Sequence, residues 1–338
     1  MNPSLNFSCR HICVIGGSGF IGTRLCLRLE ALGVPFSIID IRESRRFPEL
    51  TRIADVRDLD ALTSAIEPGS VVIHLAAEHR DDVRPIYRYR DVNTKGTKNV
   101  CIAATNKAVD TIVFTSSVAV YGFAPIGTGE DGEIKPFNAY GRTKYEAEEY
   151  LRSWQADSPQ SRSLSIIRPT VVFGERNRGN VYNLLRQIVS RRFVMIGKGE
   201  NRKSLAYVEN VAAFIEYLTN VAPGVYTANY VDKPDFTMNE LVSTVLRILG
   251  RNSKIHWRVP FIIALCGGYI LDLYGRVFRT NPTISSIRVR KFCADSTYCT
   301  AAERLGFSPP IALIDALEQT VKYEFIENHI HTELFYSE

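Results

Sequence analysis

Missing features narrow this 338-residue sequence first. None of its seven cysteines, at positions 9, 13, 26, 101, 266, 293 and 299, stands in a CxxC pair, and the odd count leaves no complete disulfide framework. No zinc or other metal site is expected, and a reducing cytoplasm suits such thiols. Lys and Arg exceed Asp and Glu by only five charges and form no block, so no nucleic-acid partner is expected. No apolar run reaches the roughly 20 residues that span a bilayer, and residues 1–10 hold no signal-type apolar stretch. Repeats and low-complexity segments are missing too. The remainder, 45% apolar and 23% charged, is the composition of a folded enzyme, long enough for one large α/β domain or two that share an interface.

What is present is an alternation. A short apolar run, 11–15, leads through glycines into a helical stretch, 23–32, and then into a second strand, 34–39. Helices follow at 61–66, 94–105 and 140–154, and strands at 71–75, 111–115 and 163–168. Strands separated by helices predict an α/β fold, a Rossmann-type doubly wound parallel sheet with right-handed crossovers. Past Pro169 the rhythm loosens, with helices expected at 181–190 and 239–249, which predicts a smaller C-terminal substrate-binding lobe. The expected division is 1–173 for the nucleotide-binding domain, with 204–222 returning to it, and 174–338 mainly for the lobe.

Gly16, Gly19 and Gly22 form a GxxGxxG turn between a strand and a helix. Glycine lets the backbone approach a pyrophosphate, and the following helix offers N–H groups and the positive end of its dipole. A ligand-free glycine turn carries the same letters. Asp40, 18 residues after Gly22 at the end of the second strand, favours the nucleotide reading. A carboxylate there accepts hydrogen bonds from the ribose hydroxyls and repels a 2′-phosphate, which favours NAD over NADP, although Arg42, Arg45 and Arg46 pull the other way. Tyr140 and Lys144, four apart at a helix start, share one face. An ammonium beside a phenol favours the phenolate, making Tyr140 a usable acid/base for a sugar hydroxyl, although chance places such pairs in many helices. Ser117 follows a strand whose C-terminal end faces the ligand crevice of such a sheet, where its hydroxyl can hold the reacting oxygen or simply end the strand in a serine turn.

Taken together, Gly16-Gly19-Gly22, Asp40, Asp55-Val56, His74-Leu75-Ala76-Ala77, Thr115-Ser116-Ser117 and Tyr140-xxx-Lys144 resemble the extended short-chain dehydrogenase/reductase superfamily of nucleotide-sugar epimerases and dehydratases. The similarity runs from about Ile12 to Pro310. It implies tightly bound NAD, held by Gly16, Gly19, Phe20, Ile21, Gly22 and Asp40, with Asp55 and Val56 near the adenine and Leu75, Ala76 and Ala77 along the cofactor. It implies Ser117, Tyr140 and Lys144 as the catalytic set, with Tyr140 and Lys144 also touching NAD. On the substrate side it implies Ser117, His79, Asn180 and Lys203, the last two at the diphosphate. Lys203 departs from the usual Arg, a point charge in place of a bidentate fork. A homodimer built on the helices at 94–105 and 140–154 is implied as well.

In this family the tyrosine removes the 4-hydroxyl proton while hydride leaves C4 for NAD, giving a 4-ketosugar. Similar dehydratases and decarboxylases carry acidic residues just after the catalytic serine or threonine. This chain has Val118 and Ala119, which transfer no protons, so 4-epimerisation or net redox at C4 remains. Asp40 speaks against an NADPH-exchanging ketoreductase and favours epimerisation. Longer strings, at 78–82, 168–185, 229–235 and 285–294, resemble a branch of the family that epimerises N-acetylglucosamine carried on undecaprenyl diphosphate for O-antigen (lipopolysaccharide) assembly. The alternatives are a UDP-N-acetylglucosamine or UDP-glucose 4-epimerase and a nucleotide-sugar 4-ketoreductase. Phe292 resembles in position a gate residue whose bulk limits N-acetylated sugars in related hexose epimerases.

A lipid-linked substrate requires a meeting place with a membrane. Val259–Leu271 holds 13 residues without a charge, and the flanking stretch from 251 to 291 carries eight basic residues against Asp272 alone. Apolar and aromatic residues in a cationic surround suit an interfacial element, so peripheral contact with the cytoplasmic face of the inner membrane is expected through about 257–279. The alternative is a helix buried in the substrate lobe.

Overall fold

A computed structural model describes residues 10–80, 83–255, 257–278, 285–329 and 333–336. Asp81, Asp82 and Arg279, which belong to two of the stretches singled out above, lie outside the described residues.

Five buried strands carry the alternation: β1 (Ile12–Ile15), β2 (Phe36–Asp40), β4 (Val71–His74), β5 (Thr111–Thr115) and β6 (Ser163–Pro169). A short β3 (Thr51–Ile53) and β10 (Gly224–Tyr230) complete a seven-stranded sheet in the order β10-β6-β5-β4-β1-β2-β3. Every pairing in it is parallel. The central strands are buried along their length rather than on alternate residues because helices cover both faces. On one face Leu25 and Leu29 of α1 (Phe20–Ala31) pack with Phe214 and Ile215 of α7 (Val208–Tyr217). On the other, α2 (Leu59–Ala65), α4 (Gly96–Asn106) and α5 (Ala139–Ala156) bury Leu62, Val100, Ala147 and Trp154. The chain reverses its order of strand addition between β1 and β4, so the crevice beyond the C-terminal ends of β1, β4 and β5 is where such a sheet takes ligands.

The approach to α4 differs from the plain helix expected at 94–105. A single turn α3 (Tyr87–Tyr89) runs through a π-helical turn, Arg90–Lys95, straight into α4. Buried Asn93 in this turn clamps the segment after β4, accepting from Glu78 N at 2.8 Å and donating to Glu78 O at 3.0 Å.

The return to the main sheet also runs further than 204–222. Strand β9 (Arg202–Tyr207) stays in the lobe, in a three-stranded sheet with β7 (Val171–Phe173) and β11 (Asp232–Thr237), while α7 and β10 carry the chain back as far as Tyr230. The lobe core joins this small sheet to α6 (Asn180–Val189), α8 (Met238–Ile248) and α11 (Leu313–Phe325). Strands β8 (Met195–Ile196) and β12 (Arg258–Val259) pair beside α9 (Phe261–Phe278) and α10 (Ser286–Cys293).

Two junctions fix the lobe to the unit built on the seven-stranded sheet. The Glu175 carboxylate accepts from Arg24 of α1 at 3.0 Å, from the Tyr207 hydroxyl at 3.0 Å and from Thr320 of α11 at 3.3 Å. Beside it, Phe335 near the C-terminus exchanges backbone hydrogen bonds with Arg176 and Arg178, and its ring lies 5.8 Å from that of Phe20.

Candidate active site

The glycine turn leaves β1 under tight constraint. Gly16 has φ +84°, and a Cβ there would lie 2.6 Å from the amide nitrogen of Ala76, so only glycine lets the turn and the segment after β4 pass so closely. Gly19 precedes α1, whose first turn (Phe20, Ile21 and Gly22) has neither a side-chain cap nor an acidic residue. Its first N–H groups therefore face the crevice end as an anion-binding terminus. Asp40 ends the neighbouring strand, where its carboxylate accepts from the amides of Ser18 at 3.0 Å and Arg42 at 3.2 Å. Burial raises its pKa, and those backbone bonds oppose the rise.

An uncapped helix terminus for a diphosphate, with a carboxylate one strand away for ribose hydroxyls, fits a dinucleotide. Leu75, Ala76 and Ala77 run half-buried along the same edge, with the Leu75 amide tied to Ile15 O at 2.8 Å. Val56 is buried and its carbonyl accepts from Asn99 at 2.9 Å, whereas Asp55 is held by the Arg57 guanidinium fork, which lowers its pKa.

The start of α5 faces the ends of β4 and β5. Asn138 caps the helix, its side chain accepting from Gly141 N at 2.9 Å. Ser117 caps a 3₁₀ turn, Val118–Tyr121, by accepting from Ala119 N at 3.1 Å, which leaves its O–H to donate. These two caps abut, because a Cβ on Gly141 would lie 2.4 Å from the Ala119 carbonyl oxygen. Tyr140 and Ser117 thus sit on touching turns.

One turn further along, Lys144 is 2% exposed, and its ammonium lies 4.1 Å from the centroid of the Phe114 ring. Burial pushes its pKa down to about 7, with the Glu148 carboxylate pulling the other way. His74, fully buried at the end of β4 with Nε2 3.0 Å from Thr97 Oγ1, is kept neutral by burial and the nearby lysine, its pKa pushed down to about 3. The structure therefore brings Ser117, Tyr140 and Lys144 to one crevice beside the glycine turn.

The expected substrate residues are placed less uniformly. His79 is exposed just beyond β4, its Nδ1 3.5 Å from Ala77 O, and Asn180 is exposed as the first residue of α6. Lys203 points under α10, donating to Lys291 O at 2.8 Å and Ala294 O at 2.6 Å. It caps the helix's C-terminal carbonyls, and burial pushes its pKa down to about 8. Ala294, whose carbonyl it caps, lines a cavity of about 550 Å³ together with Lys198, Phe261, Arg290 and Asp295. Phe292 packs against Phe193 in the lobe core, with ring centroids 6.4 Å apart.

Sequence reasoning passed over Asn93, Gly141, Glu148 and Arg168. Only Glu148 left a local signal, standing four residues beyond Lys144 as Lys144 stands four beyond Tyr140. Among the described residues no cluster of three metal-ligating side chains occurs.

Residues 12–227 match the NAD dependent epimerase/dehydratase family, and the chain belongs to it. It is an enzyme whose cofactor is NAD. It is 48% identical over 321 residues, 94% of this chain and 96% of the relative, to the N-acetyl-alpha-D-glucosaminyl-diphospho-ditrans,octacis-undecaprenol 4-epimerase of Escherichia coli O157:H7. It is 27% identical to a UDP-glucose 4-epimerase of Vibrio cholerae, covering 93% of this chain and 95% of that one. The fold is shared with a UDP-N-acetylglucosamine 4-epimerase from Methanobrevibacter ruminantium M1, with a TM-score of 0.72, 21% identity and coverage of 93% and 97%. It is also shared with the Thermus thermophilus UDP-glucose 4-epimerase in complex with NAD, with a TM-score of 0.70, 19% identity and coverage of 93% and 98%.

Proposed function

We propose that this enzyme is a 4-epimerase that interconverts N-acetylglucosamine and N-acetylgalactosamine on undecaprenyl diphosphate. The observation that carries the reading is the 48% identity, spread over 94% of the chain, to an epimerase of that substrate. Tyr140, half-buried one helical turn before Lys144, takes the proton of the sugar 4-hydroxyl, and Ser117 donates a hydrogen bond to the same oxygen. Gly16, Gly19, the first turn of α1 and Asp40 would hold NAD, which would supply the reversible hydride acceptor for C4. Val118 and Ala119 line the turn after Ser117 with no side chain that transfers a proton, so the 4-ketosugar has no acid/base partner there for eliminating water. Turning the ketosugar over in the site would expose its other face to the cofactor, and Tyr140 would give the proton back to the C4 oxygen, which completes the epimerisation. Residues 1–173, with the return segment, would hold NAD, and the lobe would hold the sugar and its diphosphate, with His79, Asn180 and Lys203 on that side.

The surface supports a lipid-linked substrate. No helix among the described residues is long and apolar enough to cross a membrane. Helix α9 nevertheless presents an outward stripe of Ile262, Ile263, Tyr269, Ile270, Leu273 and Tyr274, with Ile262 73% and Ile270 68% exposed. Its other face is seated on α10, where a Cβ on Gly268 would lie 2.8 Å from Ser286. With Arg258 at one end and Arg288 and Arg290 on the neighbouring helix, this stripe suits peripheral binding to an anionic bilayer, on the cytoplasmic face of the inner membrane. A homodimer through α4 and α5 is part of the proposal, supported by the outward Ile102 and Tyr150 on those helices.

The test is incubation of purified protein, without added cofactor, with lipid-diphosphate-linked N-acetylglucosamine and separately with UDP-N-acetylglucosamine, followed by resolution of the C4 epimers. Conversion of the lipid-linked sugar is expected. Conversion of the nucleotide sugar alone would replace the substrate assignment, and consumption of NAD(P)H on a 4-ketosugar without any epimer would make the protein a reductase.

A further inference from the structure

Behind the Tyr140–Lys144 pair lies a buried ionic group that proton transfer from the sugar does not by itself require. Tyr140, Lys144 and Glu148 follow one another at intervals of four residues along α5, so they line one face of the helix. Glu148 is 0% exposed. Its carboxylate accepts from Ser116 Oγ at 2.5 Å, from Arg168 Nε at 2.9 Å and from Arg168 Nη2 at 2.6 Å. Arg168, also buried at the end of β6, donates through Nη1 to the Tyr121 hydroxyl at 2.7 Å, and Tyr121 donates to Asn229 at 2.8 Å. One carboxylate thereby ties the residue before Ser117, the strand beyond it and the helix of Tyr140 into a single unit.

We propose that Glu148 is a positioning residue for the reaction: it keeps the Lys144 ammonium charged beneath Tyr140 and locks the Ser116–Ser117 strand end to the same helix. Two features carry this. First, the environment of Lys144 holds little else to stabilise its charge. The Phe114 ring lies under it, buried neutral His74 ends β4 beside it with His79 just beyond, and Tyr140 and Glu148 share its helix. Glu148 is the carboxylate acting on the ammonium, and a cation out of water needs such a partner to remain charged near neutrality. Second, Glu148 is itself shared. Arg168 meets it with two N–H groups, and Arg152 stands 3.8 Å away on the outer side. The field at Lys144 is therefore the difference between Glu148 and Arg168, and changing either one moves it in opposite directions.

That opposition supplies a test that a merely structural ion pair would fail. It rests on the acid/base reading of Tyr140, and the wild-type pH–rate profile and Tyr140→Phe establish that reading independently. In Glu148→Gln the lysine loses its counter-charge, sheds its proton at lower pH and supports less phenolate. The acid limb of kcat/KM should move to higher pH by about one unit, with about a tenfold fall at pH 7. In Arg168→Met the unopposed carboxylate should move the limb to lower pH.

Tyrosinate absorbance, with Tyr140→Phe as the blank, should report the same two shifts without turnover. Retained NAD and the thermal midpoint identify variants that have folded. If a single variant fails to fold, the Glu148→Gln/Arg168→Met double substitution removes both partners, a change that buried pairs commonly tolerate, and should still show an alkaline shift because the nearer charge has gone. Folded variants that lose rate equally at every pH, with an acid limb superimposed on that of wild type, overturn the proposal and leave Glu148 a structural ion-pair partner.

Discussion

Gly141, one residue after Tyr140, faces the carbonyl of Ala119 across a gap that no side chain fits, since a Cβ would come within 2.4 Å of the oxygen. The spacing between the turn that orients Ser117 and the helix that carries Tyr140 is set by this absence of atoms.

Gly141→Ala should therefore act on catalysis more than on cofactor binding. The helix start must retreat to admit a methyl group, and a displacement approaching 1 Å between reacting groups lowers rates by about 100-fold. Steady-state kinetics should show a fall in kcat of about that order, while NAD content after gel filtration stays at the wild-type level.

Tyr140→Phe should lose about 10²- to 10⁴-fold in epimerisation, the usual contribution of a positioned acid/base group, with the fold unchanged by circular dichroism. Activity above a tenth of wild type would remove Tyr140 from the proton-transfer role.

Lys144 gives stability an unusual pH dependence. Its folded pKa of about 7 lies below the ordinary 10.5, so between these values the unfolded chain binds a proton that the folded chain has released. Stability attributable to this group rises with pH across the window, and below pH 7 the full cost of burying an ammonium is present. Lys144→Met should be more stable than wild type at pH 7, and denaturant titrations from pH 7 to 10 should show the difference shrinking as pH rises, even though the variant is inactive.

On α9, Ile262→Asp and Ile270→Asp change exposed positions, so thermal stability should hold. Each isoleucine buried in a bilayer contributes roughly 2 kcal/mol, and each substitution should weaken co-sedimentation with anionic vesicles by at least about tenfold. Vesicle binding equal to wild type would remove the stripe from membrane contact.

The parts legible in the sequence were those whose partners are near in the chain. The glycine turn, Asp40 at the end of the next strand, and the Tyr140–Lys144 spacing each encode their geometry within a few dozen residues. Lys203 is legible only in part: its charge is local, whereas the carbonyls of α10 that hold its ammonium lie about 90 residues further on. Arg168 depends on a carboxylate 20 residues earlier on another element, and the Asn93 clamp depends on a π turn that apolar spacing does not reveal. Composition marked 259–271 as interfacial or buried, and only packing against α10 decided which face of that helix is turned outward.

The Glu175 junction bears on how a diphosphate-linked sugar gets in and out. With α1, β9 and α11 tied to one carboxylate, and Phe335 stitched to the same loop, the crevice is hinged shut along this border like the spine of a book. Under the proposed function, substrate would enter and leave away from this tied border, so α1, β9 and α11 would keep their places while the sugar comes and goes.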